Sequence, residues 1–323
     1  MLLKTLKVLT LTTAIAASAA VPVYAQNIND SAPLRIVVIT PPGGQADTVA
    51  RMLSEGLTQS LKRPVVVENK TGAGGNIATE YVANAAPDGT TVLLTSNNHT
   101  INPSLFGKIG YDYLNSFEPV TQLTRGPSVI AAYPGAKVSN IKELVELAKG
   151  GALSYGSTGI GSAGNLAFEM LNKAEGIKVV HVPYKGAGPA VSDALGGHVP
   201  VISVSLTSAL PFIREGKLKA LAVTTQERWP DAPEIPTLRE SGCEECAYET
   251  YLAILAPKGT SKDYVRALNK HIASALKSPA NLEKLASMGV QPVVSSVEEF
   301  TAMLNTDYKK AAAVIRETGM SVN

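Results

Sequence analysis

The chain has 323 residues, Lys+Arg 29 against Asp+Glu 27, and 17% charged residues, below the roughly 25% of an average globular chain. Near neutrality excludes nucleic acid and anionic membranes as partners, because both need clustered basic surface. A chain of roughly 300 residues can bury a large core and normally divides into two domains.

Residues 1–25 read as a cleaved secretory signal. Lys4 and Lys7 give a positive start, residues 8–20 are almost wholly apolar or small, and Val23-Tyr24-Ala25 fits the small-x-small cleavage rule before Gln26. The apolar stretch is shorter than the roughly 20 residues of a spanning helix. Losing Lys4 and Lys7 leaves equal numbers of basic and acidic residues. No later segment is long and apolar enough to span a bilayer, so the mature chain is expected to be exported and soluble.

Beyond the leader, short β-rich runs alternate with amphipathic helical patterns, the signature of an α/β architecture. Strands are predicted at 35–40, 64–68, 91–95, 128–133, 153–157, 179–183, 199–204, 219–224 and 250–256. Helices are predicted at 48–61, 76–85, 141–149, 165–175, 187–196 and 207–215, with a mostly helical close at 264–277, 281–288 and 297–318. Two extended stretches, 119–133 through Gly126-Pro127 and 248–257, read as connections between lobes. They predict one lobe built from 26–124 plus 249–323 and a second from 125–248, with a hinge and a cleft between them.

The first strand runs into Pro41-Pro42-Gly43-Gly44-Gln45-Ala46-Asp47, a glycine-rich turn that opens a helix. The first four N–H groups of a helix have no intrahelical partner, and glycine leaves them open to a ligand, so this turn suits an anion. Gly72-Ala73-Gly74-Gly75 lacks the Gly-Lys-Ser/Thr ending of a P-loop and reads as a packing turn. Further polar strand-to-helix turns follow: Ser96-Asn97-Asn98-His99, then Ser157-Thr158 through Ser162-Ala163, Tyr184-Lys185-Gly186, and Ser203-Val204-Ser205. In an open α/β sheet such turns line the cleft outside the carboxyl ends of the strands. Hydroxyls, amides and glycines dominate them, and Lys185 is their single cation.

Gly159-Ile160-Gly161-Ser162-Ala163-Gly164 formally matches G-x-G-x-x-G, but no acidic residue ends the next strand to take a ribose. It reads as a second anion-binding helix start, with Ser162 as cap. No catalytic constellation emerges. The histidines His99, His181, His198 and His271 show no metal spacing, so neither metal nor cofactor is expected. Asp47 reads as a helix-start acid or a general base, and His99 as a ligand contact on a site loop. Cys243 and Cys246 lie in a polar loop, where export favours a local disulfide.

Taken together, Pro42-Gly43-Gly44-Gln45-Ala46-Asp47-Thr48-Val49-Ala50-Arg51, Val65-Val66-Val67-Glu68-Asn69-Lys70-Thr71-Gly72-Ala73-Gly74-Gly75-Asn76, Ala86-Pro87-Asp88-Gly89 and Ile101-Asn102-Pro103 carry a resemblance through the first lobe. Tyr155-Gly156-Ser157, His181-Val182-Pro183-Tyr184-Lys185-Gly186, Ser208-Ala209-Leu210-Pro211, Leu221-Ala222-Val223-Thr224, Pro236-Thr237 and Leu255-Ala256-Pro257 extend it over the rest. The chain strongly resembles the Bug-type periplasmic substrate-binding proteins of tripartite tricarboxylate transporters.

That resemblance implies a two-lobed periplasmic-binding-protein fold, type II-like, with a central ligand cleft and two hinge-crossing strands. It implies a monomer that captures a carboxylate in the periplasm for integral-membrane permease subunits. Pro42, Gly43, Gly44, Gln45, Ala46 and Asp47 are then the first lobe's carboxylate loop. Ser157, Thr158, Ser162 and Ala163 face it, and Ser96, Asn97, Asn98, His99, Tyr184, Ser203 and Ser205 complete the site. Many relatives carry an Asp-Asn pair where this chain has Ser203-Val204-Ser205, and a shorter residue where Gln45 stands. The missing acid points to a non-amino carboxylate, aromatic or aliphatic, with two carboxylate groups. A membrane-coupled sensor and an exported hydrolase using Asp47 or His99 are the alternatives.

Overall fold

A computed structural model describes residues 28–151 and 153–322; the leader expected at 1–25 lies outside them. The chain begins with β1 (Leu34–Val38), α1 (Gln45–Leu61), β2 (Val65–Asn69), α2 (Asn76–Ala83), β3 (Thr91–Ser96), α3 (Asn98–Leu105) and β4 (Phe117–Gly126). It continues through β5 (Ser128–Ala132), α4 (Ile141–Gly150), β6 (Leu153–Ser157), α5 (Ala163–Ala174), β7 (Val179–Pro183), α6 (Ala187–Leu195), β8 (Val201–Ser205), α7 (Leu206–Arg214) and β9 (Lys219–Val223). It returns through β10 (Thr250–Pro257), α8 (Lys262–Leu276), α9 (Pro279–Ser287), β11 (Gln291–Pro292) and α10 (Val297–Thr318).

Two sheets result, ordered β11-β4-β10-β3-β1-β2 and β7-β6-β8-β5-β9. In each, three parallel strands (β2, β1, β3 and β7, β6, β8) meet an antiparallel fourth strand. That fourth strand, β10 or β5, enters directly from the other lobe. Each sheet is covered on both faces, which is why its strands read as near-continuous apolar runs. Ile36 and Val38 of β1 join one core cluster of the first lobe while Val37 and Ile39 join the other. Ile130 and Ala132 of β5 divide from Val129 and Ala131 in the same way in the second lobe.

The crossings lie side by side. Thr224 N–H donates to the Ser128 carbonyl (3.0 Å), and Tyr248 N–H donates to the Thr224 carbonyl (2.8 Å). Thr250 Oγ1 donates to the Gly126 carbonyl at 3.0 Å. Cys243 and Cys246 are disulfide-bonded, Cα atoms 5.4 Å apart, and both are buried beside Tyr248 at the second crossing. Their Cα separation lies within the ordinary range for a bridge.

Two elements depart from the sequence reading. Helix α1 begins at Gln45 rather than 48, so the glycine turn leads straight into it. Residues 98–105 form α3, a helix whose bounds were not predicted although the turn at 96–99 reads as leading into one; Pro103 lies inside it. Burial explains the helix: Ile101 and Leu105 enter the same core cluster as Tyr155, Leu166 and Phe168 of the second lobe. Ala311, Val314 and Ile315 of α10 join that cluster too. The lobes are therefore seamed together by α3 and the last turns of α10. Among the described residues, no helix is long and apolar enough to cross a membrane.

Candidate functional site

The turn after β1 and the carboxyl end of β8 border one cavity between the lobes. At the end of β1, Gly43 adopts φ +83°, a left-handed conformation that other residues reach only with strain. Gly44 is the N-cap of α1 at φ −77° and ψ 169°, and no side chain caps the helix. The N–H groups of Gln45, Ala46 and Asp47 are thus left for an incoming acceptor.

Asp47 fixes this loop. Its Oδ2 accepts from Gly43 N–H (2.9 Å) and Arg51 Nε (3.0 Å), and its Oδ1 accepts from Arg51 Nη2 (3.0 Å) and Asn69 Nδ2 (3.0 Å). Asn69 Nδ2 also donates to the Thr40 carbonyl at 2.9 Å. The Arg51 hydrogen bond, supported by those from Gly43 and Asn69, outweighs burial and lowers the Asp47 pKa to about 2. Asp47 therefore tethers the glycine turn with its full carboxylate.

In the second lobe, Ser162 caps α5 by accepting from Asn165 N–H at 3.3 Å. Ser157 Oγ accepts from Gly159 N–H (3.1 Å), lies 2.7 Å from His181 Nε2, and accepts from Ser162 Oγ (3.3 Å). Burial lowers the His181 pKa to about 4, so the imidazole is neutral near pH 7. Thr158 is half-buried beside this cluster. The start of α5 sits hard against β8, and a Cβ at Gly164 would stand 2.5 Å from the Ser203 carbonyl oxygen.

A cavity of about 310 Å³ opens between the jaws, lined by Gly43, Gln45 and Thr48 of the first lobe, Ser205, Thr207 and Ser208 of the second, and Met288. Its lining carries hydroxyls, an amide and a thioether, and no charged side chain. Of the predicted site residues, Gly43, Gln45 and Ser205 line this cavity. Thr48, Thr207, Ser208 and Met288 were not predicted. Thr48 and Ser208 stand three residues after Gln45 and Ser205, so helical spacing places them on the same faces. For Met288 the sequence carries no such signal.

The other predicted residues have these surroundings. Asp47 is occupied as described. Asn97 clasps the second crossing, donating to the Glu249 carbonyl (2.9 Å) and accepting from Tyr251 N–H (3.0 Å). His99 is 1% exposed, with Nε2 at 2.5 Å from the Tyr113 carbonyl and its ring packed on Tyr111 and Phe117. Burial lowers its pKa to about 4. Ser203 is fully buried and donates to the Gly164 carbonyl at 2.8 Å. Tyr184 donates to Asp193 Oδ2 at 2.8 Å; burial, with Asp193 adding to it, raises its pKa to about 12. Ala46 and Ala163 have buried side chains, leaving only their backbones to contribute. Pro42 is exposed, Ser96 is half-buried, and Asn98 donates to the Gly74 carbonyl at 2.7 Å.

Residues 49–320 match the family model described as the tripartite tricarboxylate transporter family receptor, TctC. The chain is 36% identical over 291 residues to the protein BugT of Bordetella pertussis, covering 89% of each. It is similar in structure to R. palustris Rpa4515 with adipate, at TM-score 0.78 and 28% identity, covering 90% of this chain and 98% of that one. MatC from Rhodopseudomonas palustris with bound malate is also similar, at TM-score 0.74 and 29% identity over 88% of this chain and 98% of that one.

Proposed function

Since this chain belongs to the tripartite tricarboxylate transporter receptor family, we propose that it captures a non-amino dicarboxylate in the periplasm and delivers it to the membrane permease subunits of such a transporter. The observation that carries this reading is the uncapped start of α1, opening on a hydroxyl-lined cavity with no charged side chain. One carboxylate docks on the free N–H groups after Gly44, where the helix dipole favours negative charge. The second lobe then closes and brings Thr158 and the Ser157–Ser162 hydroxyl cluster to the same group.

The other end of the ligand lies among Gln45, Thr48, Ser205 and Ser208. An ammonium group would want a carboxylate there, and the lining offers none, which supports a ligand without an amino group. The adipate and malate of the similar R. palustris structures are dicarboxylates of this kind. Residues 26–124 with 249–323 form the capturing lobe in this account and 125–248 the closing lobe, after cleavage of 1–25. The acid and the imidazole that a hydrolase would use, Asp47 and His99, are engaged inside the protein. That supports capture without turnover.

A thermal-shift panel tests the reading. Adipate, malate and succinate are expected to raise the unfolding temperature, since saturation at 100 times Kd adds about 2.7 kcal/mol. Chromatography should recover each ligand unchanged. A shift with aspartate or glutamate alone, or with no carboxylate at all, would overturn the proposal.

A further inference from the structure

Two cavities meet at Thr207. One is the cleft cavity described above. The other, about 430 Å³, lies between the lobes; Leu210, Pro211, Trp229 and Gly289 are in its wall, Arg214 and Asp231 line it as well, and Arg214 Nη2 donates to the Asp231 carbonyl at 3.2 Å. Trp229 is 2% exposed, and its indole Nε1 is buried without a hydrogen-bond partner.

Thr207 stands in the wall of both cavities and ties the lobes together. Its Oγ1 donates to the Met288 carbonyl at 3.0 Å. Gly289 permits this approach: it lies at φ +63°, and a Cβ there would stand 2.6 Å from Thr207 Oγ1. The tie and the partition are thus one residue. A short dicarboxylate fits wholly on the Gly43 side, with its far carboxylate among hydroxyls. A longer ligand must pass Thr207, where it meets the apolar walls of Leu210, Pro211 and the Trp229 ring, with the Arg214 guanidinium and the Asp231 carboxylate at the far side.

Resting on the carboxylate-capture reading, we propose that Thr207 sets the ligand length this protein accepts, and that the compartment beyond takes the apolar or aromatic body of a longer dicarboxylate whose far carboxylate reaches Arg214. Titration calorimetry on the full chain with succinate, suberate and terephthalate tests it. Thr207→Ala removes the interlobe bond, so succinate should weaken about fivefold, the equivalent of one hydrogen bond near 1 kcal/mol. The same change opens the passage, and suberate and terephthalate should gain at least about tenfold relative to succinate. Adding Arg214→Gln should cancel that gain. Gly289→Ala, which presses on Thr207 without widening the passage, should weaken all three alike.

Equal weakening of every ligand in Thr207→Ala would reduce the residue to a closure tie and overturn the length proposal. So would a gain that survives Arg214→Gln. A wild-type chain that binds none of the three would overturn the capture reading, and this inference with it. Unfolding midpoints of each variant separate these outcomes from misfolding.

Discussion

Gly44→Val is expected to lower dicarboxylate affinity by at least about 100-fold while the protein stays folded. The loss corresponds to one or two hydrogen bonds to a charged group, at about 1.5–3 kcal/mol each. The backbone at Gly44, φ −77° and ψ 169°, is one that valine adopts freely. A Cβ there finds its nearest neighbours, the Pro41 carbonyl oxygen and Thr40 Oγ1, at 3.5 Å, which is ordinary contact. What valine adds is bulk beside the N–H groups of Gln45 and Ala46. Gly44→Ala should therefore show a smaller loss in the same direction. Calorimetry together with a thermal melt checks both variants; full affinity in Gly44→Val would move the anion site off this turn.

Asp47→Asn should both destabilise the fold and weaken binding, because it releases the tether on Gly43. The folded carboxyl titrates at about 2 against 3.8 for the free group. A depressed acid stabilises the fold fully above its unfolded pKa, and the contribution fades as pH falls through the folded value. The stability gap between wild type and Asp47→Asn should therefore be constant at neutral pH, about 1–2 kcal/mol after allowing for screening at the half-exposed Arg51. It should shrink steadily below about pH 4. Denaturant melts from about pH 2 to about pH 7, a range that spans both titration values, measure it. A gap that persists unchanged at the acid end would mean that the tether acts through shape alone.

Much of this was legible in the residues because local rules and the fold agree. The apolar runs at β1, β3 and β10 and the glycine turn after β1 announce themselves by period and composition. Helix α3 did not. Only the turn that leads into it was legible; its length is fixed by burial of Ile101 and Leu105 against the second lobe, with Pro103 inside it. The same limit governs the site. Sequence shows that Asn97, His99 and Ser203 end strands or open helices near a cleft; it does not show which way each side chain turns. His99 finds an aromatic pocket, Asn97 clasps the hinge, and Ser203 meets Gly164, all through partners distant in the chain. Met288 reaches the cleft from after α9, a juxtaposition that only the tertiary fold creates.

Gln45 stands where the turn meets the cavity. It belongs to the opening turn, lines the cavity, and carries the one amide in that lining. Asp47, two residues on, lies within the same turn and serves it from inside. One short segment thus supplies both the surface that meets the ligand and the tether that holds that surface in place.

A crystal structure of the protein soaked or co-crystallised with adipate tests the central claim most directly. One carboxylate of the ligand is expected at hydrogen-bond distance from N–H groups of residues 45–47 and, at once, from Thr158 or Ser162 of the second lobe. A ligand bound elsewhere, or one touching a single lobe with the cleft open, would contradict it.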